Sequence, residues 1–308
     1  MAEGGQPMNS ARDQQAALLA LTIHKPRGRS ARELVNEVVW SGDAIGLWNE
    51  LRGVDLFGVS DELRAARQEV DGWISAGYQF VSILDAGYPG HLRGVYDAPP
   101  FLFYRGDLSR ATDGVSIVGS RDASPQACQR AARIAELLAQ RGLPVISGLA
   151  RGIDSAAHEA TIDARGVPVG VIATGIAAPY TPAASRPLHE RVAKTGVLVS
   201  QFMPTAPAQK HTFLMRNATM SGLGLATIVV EAGEHSGARA QARMAMEHGR
   251  PVLLTDSVIA NTQWGRELAD GRRSNVYPVA GLQDVSNALD RIVWMTSDDV
   301  LAQVIPAG

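Results

Sequence analysis

The sequence predicts an α/β fold, a doubly wound and mainly parallel sheet preceded by a small helical module, and two patterns carry that expectation. From Gly114 onward, apolar runs of strand length alternate with helical patterns of about 12 to 18 residues, the rhythm of a parallel sheet covered on both faces. Before residue 78 the apolar residues recur instead at helical spacing. The expected divisions are a helical module over 1–77, a connector leading into the sheet over 78–112, the sheet domain over 113–281, and a C-terminal helix and tail over 282–308.

In the first stretch Ala16, Leu19, Ala20 and Ile23, then Leu34, Val35, Val38 and Val39, mark apolar helix faces. Trp40, Trp48 and Trp73 fall among them and are expected in the packing between helices. In the connector, Tyr88-Pro89 and Pro99-Pro100 punctuate short apolar runs at 80–84 and 101–104, which reads as extended chain. The sheet runs follow at 115–118, 144–146, 167–173, 197–199, 225–230 and 251–254. Between the first two lies the clearest helix: Ser124 caps it, Pro125 suits its first turn, Ile134, Leu137 and Leu138 give it an apolar face, and Gly142 stops it. A last helix is expected over 285–293, followed by a loose end. Such sheets bind ligands beyond the carboxyl ends of their strands, so function should concentrate in the loops after these runs.

Composition narrows the function classes. The single cysteine, Cys128, excludes an intramolecular disulfide and a thiolate metal cluster, which makes the cytosol the default setting. The N-terminus has no basic segment followed by an apolar run, and no stretch approaches the roughly 20 apolar residues of a membrane helix, so secretion and membrane insertion are disfavoured. The net charge of −2 divides unevenly, into −4 over residues 1–109, +4 over 110–285 and −2 over 286–308. A basic patch in the middle part suits a phosphate backbone; scattered solvated charges give the same count.

After the first sheet run comes Gly119-Ser120-Arg121, a flexible glycine, a hydroxyl and a guanidinium just before a helix N-terminus. Together they can hold one phosphate, although a tight strand-to-helix turn needs much the same residues. The full G-x-G-x-x-G pattern and an acidic partner for ribose are lacking, which argues against a dinucleotide; neither a cofactor nor a metal is expected. After the second run comes Ser147-Gly148-Leu149-Ala150-Arg151-Gly152-Ile153-Asp154, then Ala157-His158. Its glycines let the backbone approach a ligand, Arg151 can meet a phosphate, and Asp154 can cap the following helix. Asp154 and His158 are four apart on one helical face, a spacing open to acid–base work but better suited to a structural role. Farther on, Lys210-x-x-Phe213-x-x-Arg216-Asn217 offers two cations for phosphates with a ring between them for a base; equally, Phe213 packs inside and Arg216 ties down a loop.

These stretches resemble, in order and spacing, the motifs of the DNA processing protein family (DprA, also called Smf). The S-G-x-A-x-G-I-D-x-x-A-H segment is the most specific. Thr174-Gly175, Tyr180-x-Pro182, Ser200-Gln201, the K-x-x-F-x-x-R-N segment, Val229-Val230-Glu231-Ala232, Ser236-Gly237 and Gly249-Arg250-x-Val252 continue it, and the likeness covers about 88–271. The resemblance implies a Rossmann-like core behind a SAM-like helical module. It implies a cytoplasmic, non-catalytic protein that binds single-stranded DNA as a homodimer, protects incoming strands and helps load a RecA-type recombinase in transformation or recombination. Carried onto this chain, the DNA contacts are Ser120, Arg121, Arg151, Lys210, Phe213, Arg216 and Asn217, and the phosphate loops and pocket use Gly119, Gly148, Gly152, Gly175, Ser236 and Gly237.

Departures from the family pattern set limits. Gln201 stands for the usual glutamate, Leu214 and Met215 for a proline and a basic residue, and Ala218 for the second arginine of R-N-R. Thr255-Asp256-Ser257 stands for a proline-glycine turn. A divergent branch without a C-terminal winged-helix domain is the expectation. Two other functions compete. One is an antitoxin or sensor partnered with a neighbouring toxin or used in phage defence, its surface retuned by Met215 and Ala218. The other is a protein that binds or hydrolyses a nucleotide, with Asp154, His158 and Glu231 as polar groups. Hydrolysis is disfavoured because no P-G-G-x-G-T-x-x-E motif, like that of nucleoside-monophosphate phosphoribohydrolases, is present.

Overall fold

Ser10 and Ser30 open the first two helices by the same device: each hydroxyl accepts the N–H three residues on, and the acidic side chain there accepts the serine N–H. The structure, a computed structural model, describes residues 10–52, 60–180 and 182–296; the loose end expected at the C-terminus lies outside the described residues. Among the described residues four helices make the N-terminal module: α1 (Ala11–Ile23), α2 (Ala31–Ser41), α3 (Ala44–Arg52) and α4 (Asp61–Ser75). Residues 16–21 of α1 are all buried, because the other three helices pack around it. Trp48 and Trp73 are buried as expected. Trp40 is not, with 89% of its surface exposed. It lies two residues beyond the buried Val38, about 200° round the helix, and so faces away from the core.

Trp73 joins the module to the sheet. Its ring stands edge-on to Phe80, Phe101 and Phe103 with centroids 5.4, 5.4 and 4.9 Å away, an arrangement that ring quadrupoles favour. Those phenylalanines sit on β1 (Gln79–Ser82) and β2 (Phe101–Gly106), separated by the short α5 (Gly90–Arg93). The connector is thus two strands of the sheet itself. Then come β3 (Gly114–Val118), α6 (Pro125–Gln140), β4 (Val145–Ser147), α7 (Ile153–Asp163), β5 (Pro168–Val171), α8 (Arg186–Thr195) and β6 (Val197–Ser200). The second half follows with α9 (Lys210–Leu223), β7 (Gly224–Val229), α10 (Gly237–Glu247), β8 (Val252–Thr255), α11 (Asp256–Asn261), α12 (Gln263–Leu268), β9 (Val276–Val279) and α13 (Leu282–Thr296).

The strand order is β1-β2-β6-β5-β4-β3-β7-β8-β9 among the described residues. Pairings are parallel except β1 with β2 and β2 with β6. Every residue of β3 to β8 is buried, which is why those strands read as continuous apolar runs rather than alternations. Ile146, Val169, Val197 and Val229 face one core, shared with the helical module. Val115, Ile117, Val145 and Ile228 face the other, closed by α6, α7 and α13. The edge strand β9 has no such run: Tyr277 is half-buried and Pro278 exposed, and proline is tolerated there because an edge leaves amides unpaired. The chain starts the parallel array at β3, winds outward through β6, and returns to place β7 beside β3. That reversal opens a crevice at the carboxyl ends of β3 and β7.

Candidate nucleic-acid interface

Three loops meet at this crevice and hold one another. After β3, the Ser120 N–H donates to the Glu231 carbonyl at 2.8 Å. The Glu231 carboxylate, from the loop after β7, accepts the Ser124 N–H at 3.0 Å and its hydroxyl at 2.7 Å, while Ser124 caps α6 as expected. After β4, the Asp154 carboxylate accepts the N–H groups of Gly148 at 3.2 Å and Ala150 at 3.3 Å. Asp154 therefore ties the loop that precedes its helix instead of capping the helix; the N-cap position of α7 is Gly152. Gly152 has φ +84° and faces the Ser120 carbonyl closely, so a side chain there meets both a strained backbone and a neighbouring main chain. Gly152→Ala is expected to cost about 1–3 kcal/mol from its positive-φ backbone conformation alone, read as a lower thermal midpoint, and to displace the Ser120 loop.

The helix α9 supplies the fourth wall. Lys210, Phe213, Leu214 and Asn217 follow the i, i+3, i+4, i+7 spacing of one helix face. With Gly119, Ser120, Arg121, Ser236 and Gly237 they line a cleft of ≈ 470 Å³. Lys210 is exposed and Phe213 half-buried at the lip. The Arg121 guanidinium lies over the Phe213 ring, 5.1 Å from its centroid, a cation–π contact. Ser236 caps α10, accepting the Arg239 N–H, so a second helix start borders the same space.

Two of the expected DNA-contacting residues sit deeper than a groove surface. Arg216 lies about 120° round the helix from Lys210, turned toward the sheet, and is 6% exposed. Its Nη1 donates to the Val171 carbonyl at 3.3 Å, and its guanidinium occupies the room left by the missing side chain of Gly148. Burial lowers its pKa and the Asp154 charge opposes that; burial also raises the Asp154 pKa, with Arg216 pulling it back. Asn217 is buried too, its Nδ2 donating to the Gly237 carbonyl at 3.3 Å. Both are buried in the wall of the cleft, which they line from behind Lys210, while Phe213 stays half-buried at the opening.

Arg151 and Gly148 border an adjoining cavity rather than the cleft. Arg151 is exposed, pairs with Asp122, and donates through Nε to the Arg121 carbonyl at 3.3 Å. Exposed pairs of this kind are worth about 0.2–1 kcal/mol, so Asp122→Ala should release the guanidinium and tighten binding of a polyanion by up to roughly fivefold, read by titration at low salt. Gly175 lines neither space; it packs against the carbonyls of Met203 and Pro204. The three polar groups considered for nucleotide chemistry are not gathered: Asp154 lines the cleft, Glu231 is bound to Ser124, and His158 is fully buried behind it. Among the departures, Leu214 and Met215 are exposed at 48% and 45%, whereas Ala218 is buried and adds nothing to the surface. The Gln201 amide oxygen accepts the Thr219 hydroxyl. Sequence reasoning missed the stacking of Arg121 on Phe213, which no spacing signals, and the place of Leu214 on the cleft face, which its i+4 position from Lys210 does.

The chain matches the family described as DNA recombination-mediator protein A over residues 79–272. It is 36% identical over 179 residues to DNA processing protein DprA of Bacillus subtilis, covering 58% of this chain and 60% of that protein. With DprA of Streptococcus pneumoniae it shares 38% over 173 residues, covering 56% and 61%. The matches thus span about three-fifths of the length of these relatives. The X-ray structure of the Streptococcus pneumoniae protein aligns with a TM-score of 0.69 at 28% identity, covering 90% of this chain and 95% of that one. DNA processing protein A from Helicobacter pylori, described for its single-stranded DNA binding mode, aligns at 0.61 and 22% identity over 70% of this chain and 97% of that one, a likeness of fold. A match over this much of the sheet domain, with the Gly119, Gly148 and Lys210 loops inside it, places the chain in the DNA recombination-mediator protein A family, to which it belongs.

Proposed function

We propose that this protein binds single-stranded DNA in the cleft between the Ser120 loop and α9, without catalysing a reaction on it. One observation carries the reading: an exposed cation, an aromatic ring and a helix-start loop converge at the switch point of a parallel sheet. Lys210 neutralises a phosphate, the Ser120 hydroxyl and the Arg121 guanidinium offer donors for another, and Phe213 gives a base of any identity a face to stack on. Because Arg121 covers that face, a stacking base takes the place of the guanidinium, which is then released toward the backbone phosphates. The names of the relatives, DNA processing proteins, and the single-stranded DNA binding described for the Helicobacter pylori protein agree with this reading.

Its finer parts follow the family: a homodimer holding two clefts, protection of incoming strands, and delivery of a RecA-type recombinase, in the cytoplasm. Among the described residues no helix is long and apolar enough to cross a membrane, and no group of His, Cys, Asp and Glu is placed to hold a metal. An electrophoretic mobility assay with labelled poly-dT and with a duplex of equal length, at several salt concentrations, tests the proposal. Tighter binding of the single strand, weakening as salt rises, is the expected result; equal affinity for both, or no retardation of either, refutes it.

A further inference from the structure

Beyond the ridge formed by Arg121 and Phe213, on the side of β4 and β5, lies a second cavity of ≈ 540 Å³. It is larger than the strand cleft and within the roughly 300–1,000 Å³ of small-molecule sites. Leu149 and Ile172 give it apolar walls. Its far side is held in place before any ligand arrives. Arg105 donates to both carboxylate oxygens of Glu190, at 3.2 and 2.7 Å, and to the Tyr180 hydroxyl at 3.0 Å, while that hydroxyl also bonds Glu190. The Tyr180 ring then stands edge-on to His189, centroids 5.2 Å apart.

Several polar groups of this cavity are already engaged, the Tyr180 hydroxyl with Arg105 and Glu190, the Ser155 and Ser185 hydroxyls with the Ala150 and Pro182 carbonyls, and Arg151 in an exposed ion pair with Asp122; His189 and the arginines are the groups that bear on a ligand. His189 is buried, and its Nδ1 lies 2.9 Å from the Ser185 carbonyl, which can only accept; Nδ1 therefore carries the proton and Nε2 the lone pair. Burial lowers the His189 pKa, which keeps the ring neutral. Arg216, buried to 6% exposure in the wall, has an Nε with no hydrogen-bond partner among the described residues. Exposed Arg121 and Arg151 stand at the mouth. A wholly apolar ligand leaves the His189 lone pair unsatisfied, and a bare anion leaves the apolar walls unused. A flat heterocycle with an N–H donor and an anionic tail uses both.

We propose that this cavity binds a free nucleoside monophosphate, its base between Leu149 and Ile172 with an N–H on His189 Nε2, and its phosphate at Arg121 and Arg151. The site opens on the other side of the ridge from the strand cleft and shares with it Arg121, Phe213, Ala150 and Arg216, so the variants that test it lie outside this shared wall and it is judged apart from the strand-binding reading. Calorimetric titration of the full chain with thymidine monophosphate and with adenosine monophosphate, at millimolar concentration, provides the test. At least one should bind saturably. Ile176→Trp fills the cavity from a wall, and Ala184→Trp does so from an exposed position that the fold tolerates. Both should weaken nucleotide binding at least roughly tenfold while poly-dT affinity stays within about twofold. The proposal is overturned if neither nucleotide binds, if both filled variants that fold bind it as wild type does, or if Lys210→Glu in the strand cleft removes nucleotide binding as fully as filling does. It is likewise overturned if filling weakens poly-dT binding while free nucleotides fail to bind, for then the cavity takes a base of the strand. Failure of poly-dT to bind anywhere counts against the strand reading and leaves the nucleotide titration to be judged alone.

Discussion

Lys210→Glu is expected to lower affinity for a poly-dT strand on the order of tenfold or more at low salt, and to flatten the dependence of log K on log salt by about 0.7, because one phosphate is no longer neutralised. The reason is placement. Lys210 opens α9, exposed at the lip of a cleft whose other walls carry the Ser120 loop and the start of α10. Phe213→Ala separates the second contribution. Losing a stacked base costs roughly 1–3 kcal/mol, and because stacking releases no counterions the salt slope should stay that of the wild type. The two variants measured together across a salt series therefore divide binding into an electrostatic and a stacking part. If both retain wild-type affinity and slope, the cleft is not the interface. The exposed Leu214, on the cleft face of α9, adds a corollary: Leu214→Lys, which puts a further cation at the cleft, should steepen the slope.

Acid should destabilise the fold through His158. The ring is fully buried, neither nitrogen makes a hydrogen bond among the described residues, and burial drives its pKa from 6.5 down to about 4. The unfolded chain thus binds a proton more readily than the folded one between these values. The stability linked to this group is complete above pH 6.5, is lost progressively as pH falls toward 4, and changes no further below that. At 1.36 kcal/mol per pH unit the loss approaches about 3 kcal/mol. Asp154 acts in the opposite sense: its raised pKa makes its burial costly above that value and relieves the cost below it. Comparison of wild type with His158→Leu by urea unfolding at neutral, mildly acidic and acidic pH isolates the histidine. The stability of wild type relative to the variant should fall as pH falls from 6.5 toward 4; parallel curves mean that His158 is not held neutral in the folded state.

Much of this molecule follows from local pattern. The runs that become β3 to β8 are legible because strands covered on both faces must be apolar at every position, and the start of α6 because Ser124 and Pro125 satisfy the geometry of a first turn. The Gly148 and Gly152 loop and the Lys210 segment announce a site for the same kind of reason: missing side chains and spaced cations are visible one residue at a time. β9 and the outward turn of Trp40 escape, since an edge strand and a helix face owe their exposure to what does not pack against them.

By itself, then, the sequence determined the doubly wound sheet, the loops at its carboxyl edge and which of them carry charge. Only the tertiary structure decided how those charges are used. Lys210 and Arg216 stand on one helix as nominally equivalent cations, yet one reaches solvent and the other is sealed against Val171 and the space left by Gly148. The same holds for Arg121, which spacing marks as a phosphate ligand and which the fold lays across Phe213. A side chain's direction is set by the elements that pack around it, and those are brought together from β3, β4, β5 and α9, stretches separated by as much as a hundred residues of chain.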